Sequence, residues 1–123
     1  EGGLSDEIAA VVAHIILGDG WSGTPHWQAK WRGVTVPNLL QCFTTLGSRD
    51  DISQRISAIT VPTLVVHGTL DNAIALDRAQ AMNDALSGAR MVTIEGGGHA
   101  SNLTHPEPVN AALKEFLRQL EIR

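Results

Sequence analysis

Two short runs of apolar, β-branched residues constrain the fold of this 123-residue chain more than any other feature. The first run, 63–68, is Thr-Leu-Val-Val-His-Gly, and the second run, 90–95, is Arg-Met-Val-Thr-Ile-Glu. Runs of this length and composition are typical of strands that are buried on both faces of a parallel sheet. Apolar spacing predicts one helix between them, over 76–86, and another after them, over 106–120. The alternation of strand and helix predicts an α/β fold with parallel strands.

The predicted sheet is incomplete, because it contains only two strands. Sheets usually contain about four to six strands, and an apolar pair alone would expose edges that promote aggregation. We therefore expect polypeptide outside these 123 residues to complete the sheet. The alternative is a small helical domain that carries a two-stranded ribbon.

Residues 1–50 differ from residues 51–123, because their pattern predicts short helices and no strand. Three helices are predicted, bounded by Ser5 and Gly18, by Thr24 and Gly33, and by Pro37 and Gly47. The apolar stripe of the first helix consists of Leu4, Ile8, Val11, Val12, Ile15 and Ile16. The residues of the third helix that we expect to face inward are Leu39, Leu40, Phe43 and Leu46.

Charge and residue usage argue against several classes of protein. Nine Lys and Arg accompany thirteen Asp and Glu, and the scattered basic residues argue against a nucleic-acid or anionic-membrane surface. The longest apolar stretch, 8–17, is interrupted by His14 and is too short to cross a bilayer. The single cysteine, Cys42, excludes an internal disulfide, and the five dispersed histidines show no metal-ligand spacing. We expect no metal, no nucleic-acid partner and no membrane partner, and the cytoplasm is the simplest location.

Two polar residues, Asp71 and His99, lie just beyond the carboxyl ends of the two predicted strands. Ligands of open α/β sheets bind outside the carboxyl ends of the strands, and neighbouring parallel strands bring their following loops to one rim. A carboxylate there can accept a hydrogen bond from one imidazole nitrogen and fix the tautomer. The other nitrogen can then act on a substrate as general base and general acid.

Other residues with chemical potential are open to more than one interpretation. Trp27 and Trp31, four residues apart on a predicted helix, can line an apolar substrate cavity or can simply seat that helix on the core. His67 lies inside the first apolar run and is interpreted as a packed core histidine.

Several motifs follow one another in a fixed order after residue 50. They are Ile59-Thr-Val-Pro-Thr-Leu-Val-Val-His-Gly-Thr-Leu-Asp71, Ala89-Arg-Met-Val-Thr-Ile-Glu-Gly-Gly-Gly-His99, Pro106-Glu-Pro-Val-Asn and a closing helix with Phe116-Leu117. Together they resemble the C-terminal part of the α/β-hydrolase fold superfamily over roughly residues 50–120. The resemblance implies that Asp71 is the acid and His99 the base of a catalytic triad. It also implies that residues 1–50 are a helical cap or lid and residues 51–123 the C-terminal part of the hydrolase core.

The nucleophile of such a triad precedes the acid and the histidine in the chain order of this superfamily. Its signature, Gly-x-Ser-x-Gly, does not occur in the sequence. The nearest string, residues 20–24, lacks the final glycine, so Ser22 is interpreted as a loop residue. The resemblance therefore implies that the nucleophile and the oxyanion hole belong to an N-terminal half of the same hydrolase, which is the expected partner of this chain.

The resemblance also suggests a class of reaction. The segment from His99 to Leu103, followed by Pro106, is similar to carboxylesterases and to enol-lactone hydrolases. It implies a serine-type hydrolase that cleaves a carboxylic ester or lactone without a cofactor, and an apolar cap with three tryptophans and few charges suits a small, largely apolar substrate. Two alternatives stay open, namely a dehalogenase-like hydrolase with an aspartate nucleophile and a non-catalytic ligand-sensing protein on the same fold.

Overall fold

A computed structural model of the chain describes residues 3–121. Six α-helices, two strands and one 3-10 turn follow one another in these residues. Their bounds are α1 Asp6–Leu17, α2 Thr24–Arg32, α3 Val36–Gly47, the 3-10 turn Ile56–Ala58, β1 Leu64–Gly68, α4 Leu76–Ala85, β2 Arg90–Ile94, α5 Ser101–Thr104 and α6 Pro106–Glu121.

The two strands pair in parallel, with Leu64 opposite Arg90 and Gly68 opposite Ile94. Helix α4 connects them, and both α4 and α6 contact both strands. Val65 of β1 packs with Ala79 and Leu86 in the main apolar cluster. This arrangement confirms the predicted α/β class with parallel strands.

Helix α1 buries the apolar stripe that the sequence predicts only in part. Ser5 caps the helix by accepting a hydrogen bond from the backbone N–H of Ile8. The buried residues are Ala9, Ala13 and Leu17, whereas Ile8 is 51% exposed and Val11 57%. Small residues at this spacing let a neighbouring helix approach closely, and α1 contacts α2 and α5. Ile8 and Val11 of the predicted stripe therefore lie on the exposed side of the helix, whereas Val12, Ile15 and Ile16 are half-buried.

Helix α3 begins and ends close to the predicted positions, but three of the four side chains predicted to face inward are exposed, and Leu39 is half-buried. Thr35 caps the helix by accepting from the backbone N–H of Asn38. Leu40, Phe43 and Leu46 are all more than half exposed. The expectation of an inward face is wrong within residues 3–121, because no described helix or strand packs extensively against α3.

The helices that position the site come from both parts of the chain. The backbone N–H of Ala100 donates to the carbonyl oxygen of Ile16 at 2.8 Å, which joins the end of α1 to the segment before α5. Val109 of α6 is buried, while Phe116 and Leu120 on the same helix are half-buried.

Within the described part of the chain, no helix has the length and hydropathy needed to cross a membrane.

Candidate active site

Asp71 and His99 meet at the carboxyl ends of β1 and β2. The Nδ1 atom of His99 lies 3.0 Å from Oδ2 of Asp71 and 3.2 Å from its Oδ1. The side chain of Asp71 is 5% exposed, and that of His99 is 40% exposed. A carboxylate can only accept, so Nδ1 carries the proton and Nε2 is the nitrogen suited to proton transfer. The predicted proximity of the two residues is confirmed.

The Asp71 carboxylate is held by its own loop, residues 69–75, which we call the acid loop. Its Oδ1 accepts from the backbone N–H groups of Ala73 at 2.8 Å and Ile74 at 2.9 Å. Burial raises the pKa of Asp71, but the bonds from Ile74, His99 and Ala73 together outweigh it and hold the pKa below its ordinary value. The carboxylate is therefore charged near neutral pH and can stabilise an imidazolium.

We expect this carboxylate to make the stability of the fold depend on pH. An aspartate in an unfolded chain has a pKa of about 3.9, and the folded pKa of Asp71 is lower. Near that pH the folded state binds fewer protons, so the stabilisation is complete above about pH 4 and is lost as the pH falls through the folded pKa. Denaturant unfolding of the wild-type chain and of Asp71→Asn between pH 7 and 2 measures it. The difference in the free energy of unfolding between wild type and Asp71→Asn should shrink as the pH falls. A difference that is constant with pH would contradict the expectation.

Hydrogen bonds tie the acid loop to residues 95–100, which we call the histidine loop. They run from Leu70 N–H to Gly97 O at 2.9 Å and from Gly96 N–H to Thr69 Oγ1 at 2.9 Å, and beside them Thr69 N–H donates to Ile94 O, at the end of β2, at 3.0 Å. The bond from Gly96 uses the side chain of Thr69, so Thr69 is a structural link that the sequence pattern did not reveal.

Replacing Thr69 by valine should lower the free energy of unfolding by about 1 kcal/mol, since valine keeps the shape but removes the acceptor of the Gly96 N–H. Urea unfolding measures this loss. Thr69→Ser keeps the hydroxyl and serves as the matched control. Equal stability of the valine and serine variants would show that this bond contributes nothing.

The last residue of β1 approaches the histidine loop so closely that it must be glycine. A Cβ atom on Gly68 would overlap the backbone carbonyl of Gly97 and would lie 2.6 Å from the carbonyl oxygen of Gly98. The hydroxyl of Ser101 donates to that Gly98 oxygen at 2.5 Å. These contacts hold the backbone next to His99, and the bond from Nδ1 to Asp71 orients its ring.

The side chain of His67 is only 10% exposed, but it contacts polar groups and lines the cavities of the site, so it is not a histidine packed only among apolar groups. Its Nε2 lies 3.0 Å from the carbonyl oxygen of Ile74 and 3.7 Å from Oδ2 of Asp71. No periodicity in the sequence reveals this contact, because the partner carbonyl lies beyond the end of the strand.

A largely apolar cavity of about 570 Å³ extends from the polar side chains of the site. Its polar lining consists of Ser53, His67, Asp71, Arg78 and His99, and its apolar lining includes Ile52, Ile56, Ile74, Ala79 and Met82. A smaller cavity, about 130 Å³, also contains Asp71 and His99. Such a shape suits a small ligand with an apolar body and one reactive polar group.

The two tryptophans and Ser22 lie elsewhere. Trp27 and Trp31 lie on α2 with ring centroids 6.3 Å apart, and neither lines the two cavities described above. Ser22 lines a separate cavity with His14 and Asp19, whose side chains are bonded to each other at 2.8 Å. The role of Trp27 and Trp31 in substrate binding stays a prediction.

Among residues 3–121, no group of three or more His, Cys, Asp and Glu side chains could hold a metal ion.

Comparisons with known proteins find a matching family model and similar proteins that are named as hydrolases. Residues 28–123 match the model of a family described as TAP-like protein. A protein of Pseudomonas syringae named as a carbamate hydrolase, RutD, is 39% identical over 80 residues, which cover 65% of this chain and 30% of that protein. The pimeloyl-[acyl-carrier protein] methyl ester esterase of Xanthomonas axonopodis is 33% identical over 86 residues, which cover 70% of this chain and 34% of the esterase.

A solved structure extends the likeness to the fold. A hydrolase from Pseudomonas aeruginosa superimposes with a TM-score of 0.79 at 24% identity, over 90% of this chain and 43% of that one. The chain thus spans about a third of the length of the two curated relatives and less than half of the solved structure.

Proposed function

We propose that this chain, which belongs to the α/β-hydrolase superfamily, supplies the acid and the histidine of a Ser-His-Asp triad. The observation that carries the proposal is the hydrogen bond between a buried carboxylate, Asp71, and a half-exposed imidazole, His99. The two side chains come from loops after neighbouring parallel strands, and a largely apolar cavity opens beside them.

In the proposed mechanism, Nε2 of His99 removes the proton from a serine hydroxyl as the serine oxygen attacks the substrate carbonyl. Asp71 holds the ring in the Nδ1–H tautomer and stabilises the imidazolium that forms. His99 then gives the proton to the leaving oxygen, and the bond from that oxygen to the acyl carbon breaks. A water molecule, activated by His99 in the same way, cleaves the acyl-enzyme and restores the serine.

The serine and the oxyanion-hole donors are proposed to lie upstream, in an N-terminal half of the same hydrolase. Relatives about three times as long as the matched segment support a larger whole. We further propose that residues 1–50 form a helical cap and residues 51–123 the C-terminal part of the core. The contact of α1 with the histidine loop supports a cap that adjoins the site.

The proposed substrate is a small, largely apolar carboxylic ester or lactone. Apolar side chains make up most of the lining of the larger cavity, and Asp71 and His99 also line it. A substrate with its scissile carbonyl beside His99 would place its apolar body along the apolar part of the lining. A cytoplasmic location and the absence of a required cofactor stay predictions.

The test is an assay of the chain joined to its upstream sequence. We expect hydrolysis of short-chain aryl esters or aryl lactones, with an initial burst of phenol release if the acyl-enzyme accumulates. Release of halide from a haloalkane without ester hydrolysis would instead support an aspartate nucleophile. Tight ligand binding with negligible turnover of either substrate class would support a ligand-sensing protein.

A further inference from the structure

The imidazole of His67, on strand β1, forms a hydrogen bond with the acid loop. The side chain of His67 is only 10% exposed, and its Nε2 lies 3.0 Å from the carbonyl oxygen of Ile74. Since a carbonyl oxygen only accepts, Nε2 carries a proton and donates it to this bond. The bond spans seven residues and ties β1 to the far end of the acid loop.

The residue that receives this bond also holds the triad carboxylate. The backbone N–H of Ile74 donates to Oδ1 of Asp71 at 2.9 Å, while its carbonyl accepts from His67. Ile74 is therefore fixed from both sides, and movement of its peptide groups would move the carboxylate. The Nε2 atom of His67 also lies 3.7 Å from Oδ2 of Asp71, which is too far for a hydrogen bond.

A purely packing role does not account for a histidine at this position. The preceding residues, Val65 and Val66, show that the strand accepts apolar side chains. A buried polar ring costs stability unless it is hydrogen-bonded, and an apolar residue of similar size would avoid that cost. The hydrogen bond from the His67 ring to the Ile74 carbonyl compensates for this cost and fixes the loop on which Asp71 lies.

We propose that His67 is a positioning residue that holds the Asp71 carboxylate in place for His99 through the Ile74 peptide, an inference that rests on the proposed function for its effect on turnover. His67 takes no part in proton transfer. Its contribution is to the orientation of the Asp71–His99 pair, where a displacement of about 1 Å can cost about a hundredfold in rate.

The test compares His67→Asn, His67→Gln and His67→Phe in the chain joined to its upstream sequence. A Gln side chain can place its amide near the position of Nε2, whereas the Asn amide is too short and Phe has no donor. We expect kcat for an aryl ester to fall about tenfold to a hundredfold in the Asn and Phe variants, a larger change than any in KM, although His67 also lines the cavity. The Gln variant should recover most of the lost kcat.

A second readout does not depend on activity. Exchange of the His99 Nδ1 proton with solvent, followed by NMR, should be at least about tenfold faster in the Asn variant than in wild type and near wild type in the Gln variant. If His67→Phe does not fold, the polar Asn and Gln pair decides alone. Wild-type kcat and exchange in folded His67→Asn, or equal losses in the Asn and Gln variants, would overturn the proposal. Altered exchange in a protein without esterase activity would overturn the proposed function and keep the positioning role.

Discussion

Replacing His99 by alanine should lower kcat/KM for an aryl ester by about 10³-fold or more in the chain joined to its upstream sequence. The variant removes the only proposed proton carrier, and loss of a triad member costs orders of magnitude in serine hydrolases. Asp71→Asn should cause a loss of similar size, because an amide at this position would favour the wrong tautomer of the imidazole.

The losses of kcat/KM from the two substitutions should not be additive. Residues that act as one unit show about the same loss in the double variant as in the worse single one. His14→Ala is the matched control, since His14 is an exposed histidine bonded to Asp19 outside the cavities of the site. A loss of less than about tenfold on His99→Ala, or fully additive losses, would contradict the triad roles.

A substitution at Gly68, at the end of β1, should also have a large effect. Gly68→Ala should lower the free energy of unfolding by about 3 kcal/mol or more, because the new methyl group meets the backbone of Gly97 and Gly98. Rigid backbone cannot rotate away as a flexible side chain can, so the histidine loop must shift and activity should fall as well. Denaturant midpoints and kcat/KM measure the two effects.

Gly47→Ala is the control for this substitution. A Cβ atom on Gly47 would meet nothing within 4 Å, and the residue ends α3 without a positive φ. The alanine there should change stability by less than about 1 kcal/mol. Equal stability of the two alanine variants would show that the close approach of β1 to the histidine loop is not required.

The elements that the sequence predicted are those fixed by local pattern. The apolar runs around Val65 and Met91 form parallel strands, and α4 and α6 begin within a residue or two of the predicted positions. The proximity of Asp71 and His99 also followed from the sequence, because loops after neighbouring parallel strands meet at one edge.

Features that depend on distant partners could not be predicted in this way. Burial of Ala9 rather than Ile8 depends on which face α2 and α5 approach, and periodicity alone does not say which helices will be neighbours. The hydrogen bond of His67 joins a strand to a carbonyl seven residues away. Thr69 and Ser101 likewise act through contacts with the histidine loop, and a single sequence carries no pattern that marks them.

We propose above all that Asp71 and His99 activate a serine that lies outside residues 1–123. A fluorophosphonate reagent, which reacts with activated serine hydroxyls, tests it directly in the chain joined to its upstream sequence. Peptide mass mapping should find the adduct on one upstream serine, and the rate of labelling should fall at least about a hundredfold in His99→Ala. An adduct on Ser22, or labelling of the upstream serine at the same rate without His99, would contradict the account.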